Sequence, residues 1–269
     1  MWSSSVLVSL TVLASTASAN PRPLAHTLTT DTLAPGDVDL VTTTDLVPLR
    51  RLASMREVTF LASAFASELE IGLVDRLELG LTATLVPSLD DRFESAGLFA
   101  GVGNGLRQRI RYTFNEDPDS WPIVGNVGAL LEISETESDV MLDGRFLFER
   151  RFDRLSAVFN ISVAYQIYFD DRRAWVITPS GGLTYEITPK FHVGAEAWQR
   201  AEYPDQVFVS PRPFSFRPQA YAGPSLMLWL GKVWWTAAAY ARITDIDHDL
   251  EPGEPYGRFW FRSVIGFDL

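Results

Sequence analysis

Segment after segment of this sequence alternates between apolar and polar residues for longer than an ordinary strand lasts. Over Leu77–Leu85, the residues Leu77, Leu79, Leu81, Ala83 and Leu85 fall on one face, and Glu78, Gly80, Thr82 and Thr84 on the other. Over 155–169, Leu155, Ala157, Phe159, Ile161, Val163, Tyr165, Ile167 and Phe169 oppose Ser156, Asn160, Ser162 and Gln166. Successive side chains of a β-strand point to opposite faces, so period two is its signature. The same alternation runs through 106–114, 191–198, 233–243 and 259–267. Strands of soluble sandwiches run about 5–6 residues. These run roughly 10–14, near what a tilted strand needs to cross a bilayer and its interfaces.

The polar faces carry charge: Glu68, Glu70, Glu78, Arg107, Arg109, Arg111, Glu132, Asp143, Arg145, Glu149, Glu186, Glu196, Arg200, Arg217, Arg242 and Arg262. An ionised side chain facing lipid costs about 2–4 kcal/mol near the midplane. The packed interior of a sandwich does not tolerate so many either. One oily face and one charged face on each strand fit a closed cylinder in lipid with water inside.

The connections support this. Short turns at 74–76, 152–154, 188–190 and 231–232 alternate with longer polar stretches at 86–105, 134–139, 201–213 and 244–256. Outer-membrane barrels have tight periplasmic turns and longer outer loops. Connections 115–120 and 169–173 depart from that alternation. Strands are expected near 36–45, 57–72, 76–87, 105–115, 121–134, 139–150, 154–168, 174–187, 190–200, 214–229, 232–244 and 256–268. The expected fold is therefore all-β, an antiparallel up-and-down transmembrane β-barrel of about 12 strands. An even number returns both termini to the periplasmic side.

Before the barrel lies an address. The run Val6 to Ala14 is apolar but too short to span a bilayer, and it leads to Ala17-Ser18-Ala19 before Asn20, a signal-peptidase pattern. Its first five residues lack Lys and Arg. Residues 1–19 are thus expected to be a signal peptide and 36–269 the barrel. Residues 20–35 are expected as an N-terminal periplasmic tail or as a segment tucked into the lumen. No later run is long and apolar enough for a membrane helix. The expected location is the outer membrane of a Gram-negative cell.

Composition narrows the function classes. A net charge of -11 argues against a nucleic-acid partner, since phosphate binding needs a basic face. With no cysteine, a disulfide scaffold, a thiolate zinc site, a Cys nucleophile and an N-terminal lipid anchor are all excluded. Aromatics at 12% suit interfacial girdles, with Trp121, Trp175, Trp229 and Trp235 as candidate anchors. Trp198, Trp234 and Trp260 have lumen parity and suit a greasy constriction or a stacking surface. Asp245, Asp247 and Asp249, followed by Glu251 and Glu254, resemble a calcium loop. Leu250 stands where such a loop needs glycine, so a solvated surface loop is the expectation. No metal or cofactor is expected. Of the three histidines, His192 is followed two residues on by Gly194, so the His-x-Ser pair of barrel phospholipases is missing. No enzymatic activity is expected.

The sharpest cluster is Arg107, Arg109 and Arg111, three guanidinium groups on one face of one strand. They form either an arginine ladder that guides anions or an internal salt-bridge network that braces or closes the barrel. Glu132 on the next strand, with Asp143 or Glu149 beyond it, is the expected counter-charge, and the abundance of acidic partners favours the network. The residues expected to set lumen selectivity are Arg107, Arg109, Arg111, Glu132, Asp143, Arg145, Glu149, Glu196, Arg200 and Arg262.

Residues 68–81, Glu-Leu-Glu-Ile-Gly-Leu-Val-Asp-Arg-Leu-Glu-Leu-Gly-Leu, carry the pattern E-x-G-x-x-D-R-x-E-x-G. The stretch resembles a hairpin of bacterial outer-membrane β-barrels assigned to transport, including those linked to phenol-degradation pathways. The likeness covers about twenty residues and speaks to barrel identity more than to substrate. The C-terminus, Phe267-Asp268-Leu269, keeps apolar-x-apolar parity but not the usual terminal aromatic. The function expected is a channel or transporter for small solutes, anionic ones included, by passive diffusion through a charged lumen. The alternative is a closed-lumen structural or interaction barrel displaying acidic loops. Expected partners are outer-membrane lipid, small solutes and the outer-membrane assembly machinery.

Overall fold

A computed structural model describes residues 20–53, 56–86, 104–115, 125–205, 218–244 and 257–269. Among them are twelve strands: β1 (Val38–Ala53), β2 (Arg56–Val74), β3 (Leu77–Leu85), β4 (Gly105–Thr113), β5 (Asn126–Thr136), β6 (Asp139–Phe152), β7 (Leu155–Tyr168), β8 (Arg173–Thr188), β9 (Phe191–Pro204), β10 (Gln219–Trp229), β11 (Val233–Arg242) and β12 (Phe259–Asp268). Each pairs antiparallel with its sequence neighbours, and β1 pairs with β12, so the sheet closes into an up-and-down barrel. The closing seam runs from Asp39 opposite Asp268 to Leu46 opposite Phe261. Closure leaves no strand edge, which is what lets a sheet sit in hydrocarbon.

Parity follows the alternation. Leu81, Leu106, Ile110, Leu131, Phe146 and Phe159 point outward and are exposed, while the charged strand positions among the described residues, such as Glu70, Glu78, Arg109, Arg111, Asp143 and Glu196, point inward. So continuous an apolar outer belt suits lipid, not water. No helix among the described residues is long and apolar enough to cross a membrane. Trp175, ring to ring with Tyr165 at 4.9 Å, is exposed near one end of the wall, and Trp235 is exposed near the other. Those are the levels at which interfacial aromatics collect.

The termini and the tight turns at 75–76, 153–154, 189–190 and 230–232 share one rim. Arg76 and Asp153 turn the chain there with positive φ, 66° and 54°. At the other rim two connections are tighter than expected. The first strand, expected to end at 45, runs to Ala53, which pairs with Arg56 of β2. Val47 and Leu49 are inward yet apolar, packed in a buried cluster with Ala62, Ala64 and Trp260, so alternation vanishes where the strand continues. Likewise β5 runs to Thr136 and β6 starts at Asp139. The N–H groups of Ser138 and Asp139 both donate to Thr136 Oγ1 at 3.2 Å, closing the turn.

Candidate functional site: a plugged, charged lumen

Residues 20–37 do not hang from the rim as a tail. They enter the cylinder beside Asp39, cross the lumen and return to the rim where Gly36 N–H donates to Gly72 O at 2.8 Å. Leu24 and Leu33 are buried, and Leu28 packs with Leu130 and Leu147 of the wall. The segment has no sheet partner of its own, so its backbone N–H groups need other acceptors. Inward carboxylates supply them. Glu196 on β9 accepts from the N–H groups of Ala25, His26 and Thr27 at 2.8, 3.0 and 3.0 Å. Glu149 on β6 accepts from the N–H and hydroxyl of Thr30 at 2.9 and 3.0 Å, and Glu78 on β3 from Leu33 N–H at 3.1 Å. Tyr240 donates to the same Glu196 at 2.6 Å. Charge-assisted bonds of this kind are the strong ones.

Two of the three ladder arginines, Arg109 and Arg111, are neutralised. Arg109 pairs with Glu68 at 2.9 Å and with Glu70, and Arg111 with Glu78 at 2.5 Å. Arg22 of the plug pairs with Glu68 at 3.2 Å and with Glu70. Three guanidinium groups and three carboxylates thus cancel in one buried network that ties plug to wall. The counter-charges sit on β2 and β3, a correction to the expectation that Glu132, Asp143 or Glu149 would supply them. Gly80 explains the reach. A Cβ there would lie 2.7 Å from Arg109 Cγ and 2.9 Å from Glu68 Oε1, so Arg109 crosses β3 only because that position is bare. Gly72 does the same for the plug: a Cβ would lie 2.0 Å from Ala34 O. Glu70, Gly72, Glu78 and Gly80 are the E, G, E and G of the hairpin pattern. Their task is to dock plug and arginines, something a turn motif alone does not reveal.

The remaining predicted residues lie around the lumen. Asp143 accepts from Arg145 at 3.0 Å and from Ser162 Oγ at 2.6 Å. Arg262 forks onto Asp45 at 2.7 and 2.8 Å, and Trp260 Nε1 donates to the same carboxylate at 2.7 Å. Arg151 joins Glu149 at 2.8 Å. Glu186 and Arg242 also face inward. Arg107 and Glu132 make no hydrogen bond or ion pair among the described residues. Arg200 bonds to the Gln166 side-chain amide oxygen at 3.3 Å. Arg107, Glu132, Arg145 and Arg200 line a cavity of about 250 Å³ bounded on one side by the plug residues Arg22, Ala25, His26 and Leu28. The sequence reading missed Arg22, Asp39 and Asp45. Asp39 and Asp45 share the odd parity of β1, a signal present but diluted by the threonines between them.

The inward tryptophans pack against neighbouring rings and side chains, and Trp198 and Trp260 also border the cavity. His26 stacks on Trp198 at 4.6 Å, Trp198 stacks on Tyr221 at 4.6 Å, and Trp260 meets Trp198 edge-on at 5.1 Å. Trp234 is fully buried with Val41 and Val264. Arg217, Trp121 and the acidic stretch 245–254 lie outside the described residues. No cluster of three metal-ligating side chains occurs among the described residues.

Neither a family model nor a curated protein matches this sequence. Solved structures do share its fold. An outer membrane channel from Pseudomonas putida F1 is similar at 12% identity over 89% of this chain and 98% of that one, with a TM-score of 0.57. The KdgM porin in complex with disordered oligogalacturonate aligns at 8% identity over 86% and 99% of the two chains, TM-score 0.54. The NanC porin aligns at 9% identity over 86% and 100%, TM-score 0.54. The chain therefore has the fold of outer-membrane β-barrel channels.

Proposed function

We propose that this chain is an outer-membrane channel through which small anionic solutes diffuse, narrowed by its own N-terminal segment. The observation that carries this is the cavity beside the plug. Six guanidinium groups line it, and Arg107 has no partner among the described residues while Arg200 has only an amide. An unpaired guanidinium in a wet lumen is a docking point for a carboxylate. Glu132, Asp143 and Asp45 line the same cavity, so a solute passes charges of both signs and binds loosely enough to leave. The selectivity role falls on Arg107, Glu132, Asp143, Arg145 and Arg200. Arg109, Arg111, Glu149, Glu196 and Arg262 hold the plug or brace the wall.

One of the porins sharing the fold is in complex with oligogalacturonate, an anion, which is consistent with this reading. The likeness of hairpin 68–81 to barrels linked to phenol degradation makes aromatic acids the first solutes to try. Outer-membrane lipid and the assembly machinery are the other partners implied, and no catalytic step is. Reversal potentials in planar bilayers under a salt gradient test the proposal. The wild type is expected to prefer anions, and Arg107→Gln with Arg200→Gln to lower the anion-to-cation permeability ratio roughly threefold. A ratio unmoved by both substitutions overturns it. The extensive bonding of the plug favours one other reading, a closed structural barrel. A folded barrel that conducts neither with nor without the plug would establish that instead.

A further inference from the structure

An acidic pair sits at the seam where the barrel closes. Asp39 and Asp268 are directly opposed in the pairing of β1 with β12, both inward and both buried. Like charges directly opposed across two strands destabilise the pair, and a buried carboxylate without a cation is costly. Neither forms an ion pair with a Lys, Arg or His side chain among the described residues. What reaches Asp39 is the main-chain nitrogen of Asn20, 3.1 Å from Oδ2, while Oδ1 is buried without a partner. Asn20 is itself buried and pinned, its side-chain amide donating to Asp31 O at 3.0 Å. It is also the residue that follows Ala17-Ser18-Ala19.

We propose that the chain is cut between Ala19 and Asn20, and that the amino group so released is the cation this seam lacks. Hydrolysis puts the water's hydroxyl on the Ala19 carbonyl carbon and a proton on the Asn20 nitrogen. A further proton from solvent makes the α-ammonium, the main form near neutral pH for an α-amine, whose ordinary pKa is about 7.7–8.0. The uncut amide offers Asp39 one N–H and no charge. The ammonium offers three N–H groups and a full positive charge, enough to serve Oδ1 as well and to separate Asp39 from Asp268. Removal of the leader and fastening of the plug are then one event: processing creates the ion pair that anchors the plug's free end to the closing strands.

The test uses the mature protein from outer membranes. Its first residue is read by mass, and the folded barrel is treated near neutral pH with an amine-acylating reagent. Lys190 and Lys232 are the only lysines, both exposed, and serve as internal references. The chain is expected to begin at Asn20. The lysines should acylate at ordinary rates, and the α-amine about tenfold slower than in an unfolded peptide of the same sequence, because the ion pair keeps it protonated. Asp39→Asn should restore the peptide rate, Asp268→Asn should restore it in part, and chelation of divalent cations should change nothing. A different first residue, an α-amine that reacts as fast in the folded wild type as in the peptide, protection that survives Asp39→Asn, or protection lost on chelation would each overturn the proposal. The wild-type measurement is decisive even if a variant does not fold.

Discussion

Gly80 determines where Arg109 lies. The bare position lets the guanidinium cross β3 and meet Glu68 and Glu70, of which Glu70 is fully buried. Gly80→Val puts a branched side chain within Arg109's path and parts that buried guanidinium from Glu68 and Glu70, which keep only Arg22. Breaking a buried pair from one side costs about 3–5 kcal/mol, so the urea midpoint of the barrel in lipid vesicles should fall accordingly. The control is Gly144→Ala, on the outer face, where an added Cβ meets nothing nearer than 4.0 Å. Its effect should stay within about 0.5 kcal/mol.

The plug is an element without secondary structure, and its place is set by what accepts its hydrogen bonds. Glu196, Glu149 and Glu78 grip main-chain N–H groups, so the grip depends on the path of the backbone more than on which side chains it carries. The strand pairing of the wall does not run through the plug: β1 and β12 pair with each other directly, from Asp39 opposite Asp268 to Leu46 opposite Phe261. Deleting 22–33 should therefore leave a folded, heat-modifiable barrel whose single-channel conductance rises roughly threefold or more, since twelve strands make a wider cylinder than the eight that side chains fill. Planar-bilayer recordings of both forms check this.

The cylinder as a unit sorts residues between lipid and lumen. Leu81 points outward midway along β3, and Thr84 on the same strand points into the cavity. Leu81→Arg places a charge in hydrocarbon and should cost about 2–4 kcal/mol, while Thr84→Arg, in a wet charged lumen, should cost roughly half of that or less. Urea unfolding in vesicles compares the two directly. An equal loss from both would mean that the two faces do not differ in solvent.

Strand identity, face and up-and-down order were readable because period two is local: each residue's neighbours two positions away say which side it is on. The same locality explains the errors. Alternation ends at 45 because Val47 and Leu49 put apolar residues on the inner face, although β1 itself runs to Ala53. The acids of Arg109 lie on β2, reached past Gly80, whereas the sequence alone offers Glu132, Asp143 and Glu149 on the strands that follow. The plug was least legible of all. Residues 20–35 carry no alternation, and their conformation depends on carboxylates as far along the chain as Glu196, which meets Ala25 across 171 positions. A pattern in consecutive residues specifies a strand and the medium on each side of it. Which buried charge meets which, and what fills the lumen, depends on closure, because only the closed cylinder brings those groups within hydrogen-bonding distance and removes the water that would otherwise solvate them.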